Sequence, residues 1–375
     1  MLLTIIVFIL ILGLLIFVHE LGHFLLAKKL GMKVEEFGFG FPPRIFGIKK
    51  GETIYSLNLI PIGGFVKILG EDNEKKGKKD PKSFSSKPIW QRAVVLSSGV
   101  LMNFILAIII LSIGFSLGLP QILDPDLVES NVNIWNKRIM ITYVAKDSPA
   151  NKLGFQIGDQ IISIDGRKFI ELDEFSQEIE SKAGSKINLE IKKGDQTLQK
   201  EIIPRKYPPK EQGAMGVELA QVGTVAYPWY KAVVEGTRAT WYTIEAIFVG
   251  LYKLVKTLVG PTEVALEIAG PVGIAALTGR VIEEGWIYVL QFIALLSINL
   301  GIINILPFPA LDGGRLVFLG VEKIRGKKVN PKIENWTNQI GMMLLIALMI
   351  FITFRDVMRF KGSIINVFQR IGGYF

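Results

Sequence analysis

The chain has 375 residues, 50% of them hydrophobic, with a mean hydropathy of +0.39 and a formal net charge of +9. Its apolar residues gather in long runs, which excludes an ordinary soluble enzyme or a disordered chain and points to a multi-span membrane protein. The sequence holds no Cys, which excludes disulfides and thiolate metal sites, and its 2 His are His19 and His23.

In chain order, the first run long enough to cross a bilayer extends from Met1 to about Ala27, interrupted only by His19, Glu20 and His23. It lacks the basic start and small-residue cleavage site of a signal peptide, so it is expected to be retained. The loop that follows holds apolar or alternating stretches at Val34–Phe41 and Thr53–Ile68, with Gly38, Gly40, Gly63 and Gly64. These predict one or two β-hairpins pressed against the membrane, which either offer an edge strand to an unwound substrate or simply cap a site. The second span is expected from Ala93 to Pro120; its Gly99 and Asn103 belong to a small-residue stretch suited to close helix packing.

A segment from 121 to 215 reads as a soluble α/β insert. Strands are predicted at Ile139–Val144, Gln160–Ile164, Ile187–Ile191 and Gln199–Ile203, and a helix at Leu172–Lys182. The run Ser148-Pro149-Ala150, Gly154-Phe155, Gly158-Asp159, Ile161, Asp165-Gly166 resembles the PDZ domains of membrane and periplasmic proteases. The connector 216–285 contains Pro228–Gly260, whose apolar residues recur at helical spacing among charges, as in an amphipathic helix lying at the membrane surface. A third span is expected from Trp286 to Ala310 and a fourth from Trp336 to Phe354. The tail beyond, with Val357, Phe360, Ile364, Ile365 and Phe368 among Arg355, Arg359, Lys361 and Arg370, again reads as an interfacial helix.

Basic residues set the orientation. Lys28, Lys29, Lys33, Arg44, Lys49, Lys50, Lys75, Lys76, Lys78 and Lys79 crowd the first loop, and Lys323, Arg325, Lys327, Lys328 and Lys332 the loop between spans three and four. Both loops are expected on the cytoplasmic side, leaving both termini and the insert outside. The positive charge is thereby a topology signal, and no nucleic-acid motif accompanies it.

The chemistry centres on His19-Glu20-Leu21-Gly22-His23, an HExxH pattern. Positions i and i+4 share one helix face, so both imidazoles can hold one Zn²⁺ with Glu20 beside it as general base. Random placement of two His and a Glu would produce the pattern roughly once in several thousand tries. Two His and a Glu in an apolar helix are also costly unless they serve a function. A third ligand must be Asp or Glu. Asp312, in Asn304-Ile305-Leu306-Pro307-Phe308-Pro309-Ala310-Leu311-Asp312-Gly313-Gly314, is the strongest candidate, with Glu245 and Glu267 as alternatives. His19 lies about 27 Å along a helix entering from outside, and Asp312 a similar distance along the third span, so both reach the cytoplasmic side of the core. Pro307 and Pro309 cannot sustain a helix there and free backbone groups at membrane depth, where they survive only beside a cavity or partner. Asn304 suits hydrogen bonding to substrate backbone or to a developing oxyanion, or else glue between helices.

HELGH in span one, Gly99 and Asn103 as GxxxN in span two, a PDZ-like insert and NxxPxPxLDGG at the end of span three together resemble the site-2 protease family of intramembrane zinc metalloproteases. The order is most similar to the bacterial regulator-of-sigma-E protease branch, here with a single PDZ domain. The resemblance implies an α-helical polytopic membrane protein with four transmembrane helices, a membrane-associated β-hairpin region and one inserted extracytoplasmic PDZ domain, in a bacterial inner membrane. Implied roles are His19, His23 and Asp312 as zinc ligands, Glu20 as catalytic base, and Asn304, Pro307, Pro309, Gly99 and Asn103 as substrate-holding residues. Implied partners are single-span membrane proteins such as anti-sigma factors, usually after another protease has shortened their outer part, and remnant signal peptides. Lipid surrounds the spans, and the PDZ groove offers a peptide contact.

Overall fold

The computed structural model describes residues 2–71, 80–123, 132–194, 196–209, 212–259 and 270–359. The basic cluster Lys75–Lys79, Glu267 and the tail from Phe360 onward lie outside the described residues. Two compact units emerge, one taking in the chain up to Ser112 and again from Val233, the other Ile113–Ala232.

Among the described residues, four helices are long and apolar enough to span a bilayer: α1 (Leu2–Lys29), α2 (Ile89–Leu117), α7 (Trp286–Ile305) and α9 (Pro331–Arg359). Their lipid-suited surfaces are bare in the protein; Leu2, Leu10, Ile109, Met343 and Phe351 are among the exposed side chains. α7 stops at Ile305, short of the Ala310 expected from hydropathy, because Pro307 disfavours helical backbone in the residue before it. Where the spans meet, Ala107 and Ile110 of α2 pack with Ala294, Ile298 and Ile302 of α7. The long amphipathic helix α5 (Trp229–Val259) lays Ile244, Ile247 and Leu251 against that same cluster, and the short α6 (Pro271–Glu284) leads into α7.

Between α1 and α2 run β1 (Val34–Lys50) and β2 (Thr53–Ile68). Residues 36–39 of β1 are flanked on one side by 54–57 and on the other by 64–67, so the folded-over β2 supplies a neighbour at each edge. The start of β1 is buried, whereas 41–50 are exposed throughout. Beneath them, Ala27, Met32, Val34, Ile68, Phe84, Val95, Leu96 and Leu319 form a shared core joining α1, the sheet, α2 and α8 (Asp312–Arg325).

In the second unit, β3 (Leu119–Ile122), β4 (Asn133–Val144), β5 (Gln160–Ile164), β6 (Arg167–Lys168), β7 (Ile187–Lys193), β8 (Gln196–Ile202) and β9 (Val217–Ala226) form one sheet in the order β3-β9-β4-β5-β7-β8, with β6 on β5. A short helix α3 (Pro149–Lys152) starts at Ser148, whose hydroxyl accepts from Asn151 N–H, and α4 (Leu172–Ser181) buries Phe175 and Ile179, four apart, on the sheet. Asp165 and Gly166, both at positive φ, make the two-residue turn joining β5 and β6. Strand β9 extends the sheet beyond residue 215 into the stretch assigned to the connector. Its pairing partners β3 and β4 lie far upstream, from Leu119 paired with Val225 to Val144 paired with Val217, and so long a separation leaves no local pattern. Each fully buried side chain here, such as Ile164 or Leu189, contributes about 1.5–3 kcal/mol of apolar transfer energy.

Candidate metal centre

Helical spacing places His19 and His23 one turn apart on the inner face of α1, each 6% exposed. Asp312 arrives from the other side as the first residue of α8. After α7 ends, residues 306–311 reverse the chain, with Phe308 N–H on the Leu306 carbonyl, Ala310 at φ 76 and Ala310 N–H on Asn338 Oδ1 of α9. A Cβ at Gly313 would overlap the Ile305 and Leu306 carbonyls, and one at Gly314 the Phe308 carbonyl. The two glycines thus let α8 start flush against the end of α7, and the partial positive charge at that helix start favours the Asp312 carboxylate.

Asp312 Oδ2 stands 3.0 Å from His19 Nε2 and 3.3 Å from His23 Nε2, and the two Nε2 atoms are 3.2 Å apart. His23 Nδ1 donates to the Val95 carbonyl at 2.8 Å, so in neutral His23 the Nε2 atom carries a lone pair into this triangle. Asp312 Oδ2 is buried with no hydrogen-bond partner, although both Nε2 atoms stand close to it. Buried acceptors held this close together, one of them without a hydrogen-bond partner, suit a cation. Tetrahedral zinc with bonds of about 2.0–2.1 Å separates neighbouring donors by about 3.3 Å, so the triangle fits that ion in size and in chemistry. Among the described residues these three form the group of His and carboxylate donors close enough to share a metal. Glu245, the alternative ligand, lies exposed on α5.

A cavity of about 260 Å³ opens beside the triangle, walled by Glu20, Phe65, Val66, Glu71, Asn304, Leu311 and Arg315 as well as the three donors. Glu20 Oε2 accepts from Val66 N–H of β2 at 3.1 Å, which holds the carboxylate at the cavity edge. Of the residues expected to hold substrate, Asn304 is on this wall. Pro307 is exposed, and Pro309 packs its backbone on Gly341 of α9. Gly99 and Asn103 lie behind the His pair: a Cβ at Gly99 would fall on His19 and His23 Nε2, and Asn103 Nδ2 is 3.4 Å from His19 Nδ1. The ion pair of Arg315 with Glu71 across the cavity went unread in the sequence. The signal available was Arg315 standing one helical turn after Asp312, on the same face of α8.

Four apolar spans, a buried His–Glu–His helix and a carboxylate returned to it by a Gly-rich turn define a membrane-embedded metalloendopeptidase. The model of peptidase family M50 matches residues 7–348, and the chain belongs to that family, the site-2 proteases. The regulator of sigma-W protease RasP of Bacillus subtilis is 31% identical, covering 95% of this chain and 98% of that one. The zinc metalloprotease RasP of Geobacillus kaustophilus is 30% identical over the same shares of the two chains, 95% and 98%. A solved PDZ domain of an SdrC-like protein from Listeria monocytogenes is similar over 22% of this chain and 85% of its own, at 30% identity and a TM-score of 0.20.

Proposed function

We propose that the chain cuts peptide bonds within the transmembrane segments of single-span membrane proteins, anti-sigma factors and remnant signal peptides among them, in regulated intramembrane proteolysis. In this reading His19, His23 and Asp312 hold zinc and Glu20 is the catalytic base. The supporting observation is the donor triangle, with edges of 3.0, 3.2 and 3.3 Å, opening on a cavity edged by Glu20. In such a donor set zinc supplies Lewis acidity toward the scissile carbonyl and acidifies water. Glu20 takes the proton of the attacking water and returns it to the leaving amine nitrogen. Asn304 donates to the carbonyl oxygen as negative charge develops there.

A helical substrate hides its carbonyls in its own hydrogen bonds and must unwind before cleavage. Pairing with the outer edge of residues 64–67 of β2 offsets that cost, and the non-helical stretch with Pro307 and Pro309 holds the unwound segment beside it. The PDZ-type insert contacts the outer part of the substrate, which another protease has already shortened. The Lys and Arg distribution supports a bacterial inner membrane orientation with both termini and the insert outside and the site near the cytoplasmic face.

The deciding experiment incubates detergent-purified chain with a panel of single-span proteins carrying short outer segments, beside Glu20→Gln and a zinc chelator. Cleavage by the wild type alone, lost on chelation, is expected. A wild type that neither binds zinc nor cleaves would overturn the reading.

A further inference from the structure

The face of α2 turned to the His pair carries three groups at a spacing of four: the Val95 carbonyl, Gly99 and the Asn103 side chain. At one end, His23 Nδ1 meets a carbonyl, which can only accept, so that nitrogen bears the proton and Nε2 is bare. His19 has the same requirement, because its Nε2 is the atom turned to Asp312 Oδ2 and His23 Nε2. Its proton therefore belongs on Nδ1. Facing that atom at 3.4 Å is Asn103, 0% exposed, whose Oδ1 is buried without a partner. The Asn103 backbone carbonyl accepts from Ser297 Oγ of α7 at 2.7 Å, which pins the residue in place. Its amide can still turn about the Cβ–Cγ bond, and a half-turn exchanges two nearly isosteric ends. That turn sets Oδ1 on His19 N–H and gives both atoms the partner they lack.

We infer that Asn103 is a positioning residue for the metal centre: its Oδ1 accepts from His19 Nδ1–H, fixes the ring in that tautomer and aims Nε2 at the ion. This rests on the zinc-site reading above and deepens it, moving Asn103 from the substrate to the ligand shell. The Val95 carbonyl does the same for His23, so α2 orients both imidazoles while contributing no ligand. Partners of this kind are worth about 10–100-fold in metal affinity.

The test compares wild type, Asn103→Asp and Asn103→Leu as full-length protein in nanodiscs. Zinc affinity is read by competition with a chelator, and thermal unfolding is followed for the metal-stripped forms. Asp keeps an acceptor of the same shape; Leu keeps the volume and removes it. Expected are a loss of about 10–100-fold in zinc affinity for Asn103→Leu, none for Asn103→Asp, and metal-free forms that unfold together. Wild-type affinity in the Asn103→Leu variant would overturn the inference. So would an equal loss in both variants, or a loss matched by earlier unfolding of the metal-free Asn103→Leu protein. Zinc bound equally by all three overturns the role of Asn103 alone, whereas a wild type that binds none overturns the zinc site itself.

Discussion

Two histidines can share an ion here because α2 lacks one carbon atom. A Cβ at Gly99 would land on the Nε2 atoms of both rings, closer than real side chains approach, so Gly99→Ala must push the rings apart or α2 away. Zinc content measured on the purified variant is expected to fall well below one per chain and cleavage to vanish; full zinc retention would mean that α2 yields instead. Glu20 makes the contrasting case. It lies outside the donor triangle and is held by Val66 N–H, so Glu20→Gln should keep its zinc while cleavage drops by about 10²–10⁴-fold, the usual contribution of a general base. A Gln variant that cleaves at the wild-type rate would remove Glu20 from that role.

At the scale of elements, the centre depends on helices and strands that meet from distant parts of the chain. Arg92 of α2 forms a two-pronged pair with Glu322 of α8, at 2.9 and 2.6 Å, across 230 positions of sequence, with both side chains largely buried. It ties the helix behind the histidines to the helix that begins with Asp312. Removing one partner strands a buried charge and should cost about 3–5 kcal/mol, while Arg92→Met with Glu322→Leu should recover most of it; thermal unfolding of the two singles and the double decides. β2 forms the other wall. Val66→Pro deletes the N–H bonded to Glu20 and stiffens the edge offered to substrate, so cleavage should fall with zinc content unchanged. The loss should be smaller for a substrate whose span already carries helix breakers; a parallel loss of zinc would instead mean that the strand supports the metal. How far the sequence could be read follows the same division. HExxH is legible because helical geometry alone brings its His together, and Asp312 because a chain with no Cys and no further His must draw a third ligand from Asp or Glu, and its depth along the third span matches that of His19. The double flanking of residues 36–39, strand β9 and the Arg92–Glu322 tie were not, because each is a pairing between distant segments that leaves no local period.

For the molecule as a whole, the arrangement is a membrane protein whose chemistry sits among its spans and whose insert forms a compact unit of its own. The charge distribution predicts which side each part faces. Lys50, exposed at the end of β1, and Lys327, in the exposed stretch after α8, belong to the basic loops, whereas Lys168, exposed on β6, belongs to the insert. Moving Lys or Arg across a bilayer is costly, so the two basic loops are expected to stay on the side of synthesis, and the odd number of crossings between them and the insert would then carry the latter out. The chain contains no Cys, so Lys50→Cys, Lys327→Cys and Lys168→Cys each create a unique thiol. In intact cells a membrane-impermeant maleimide that reaches the periplasmic or outer face should label Lys168→Cys. The other two should react only after the membrane is opened. Labelling of Lys50→Cys in intact cells would reverse the orientation and put the metal centre near the outer face. A substrate would then have to be cut from outside, and the proposed order, in which the outer segment is trimmed before the span is cleaved, would fail with it.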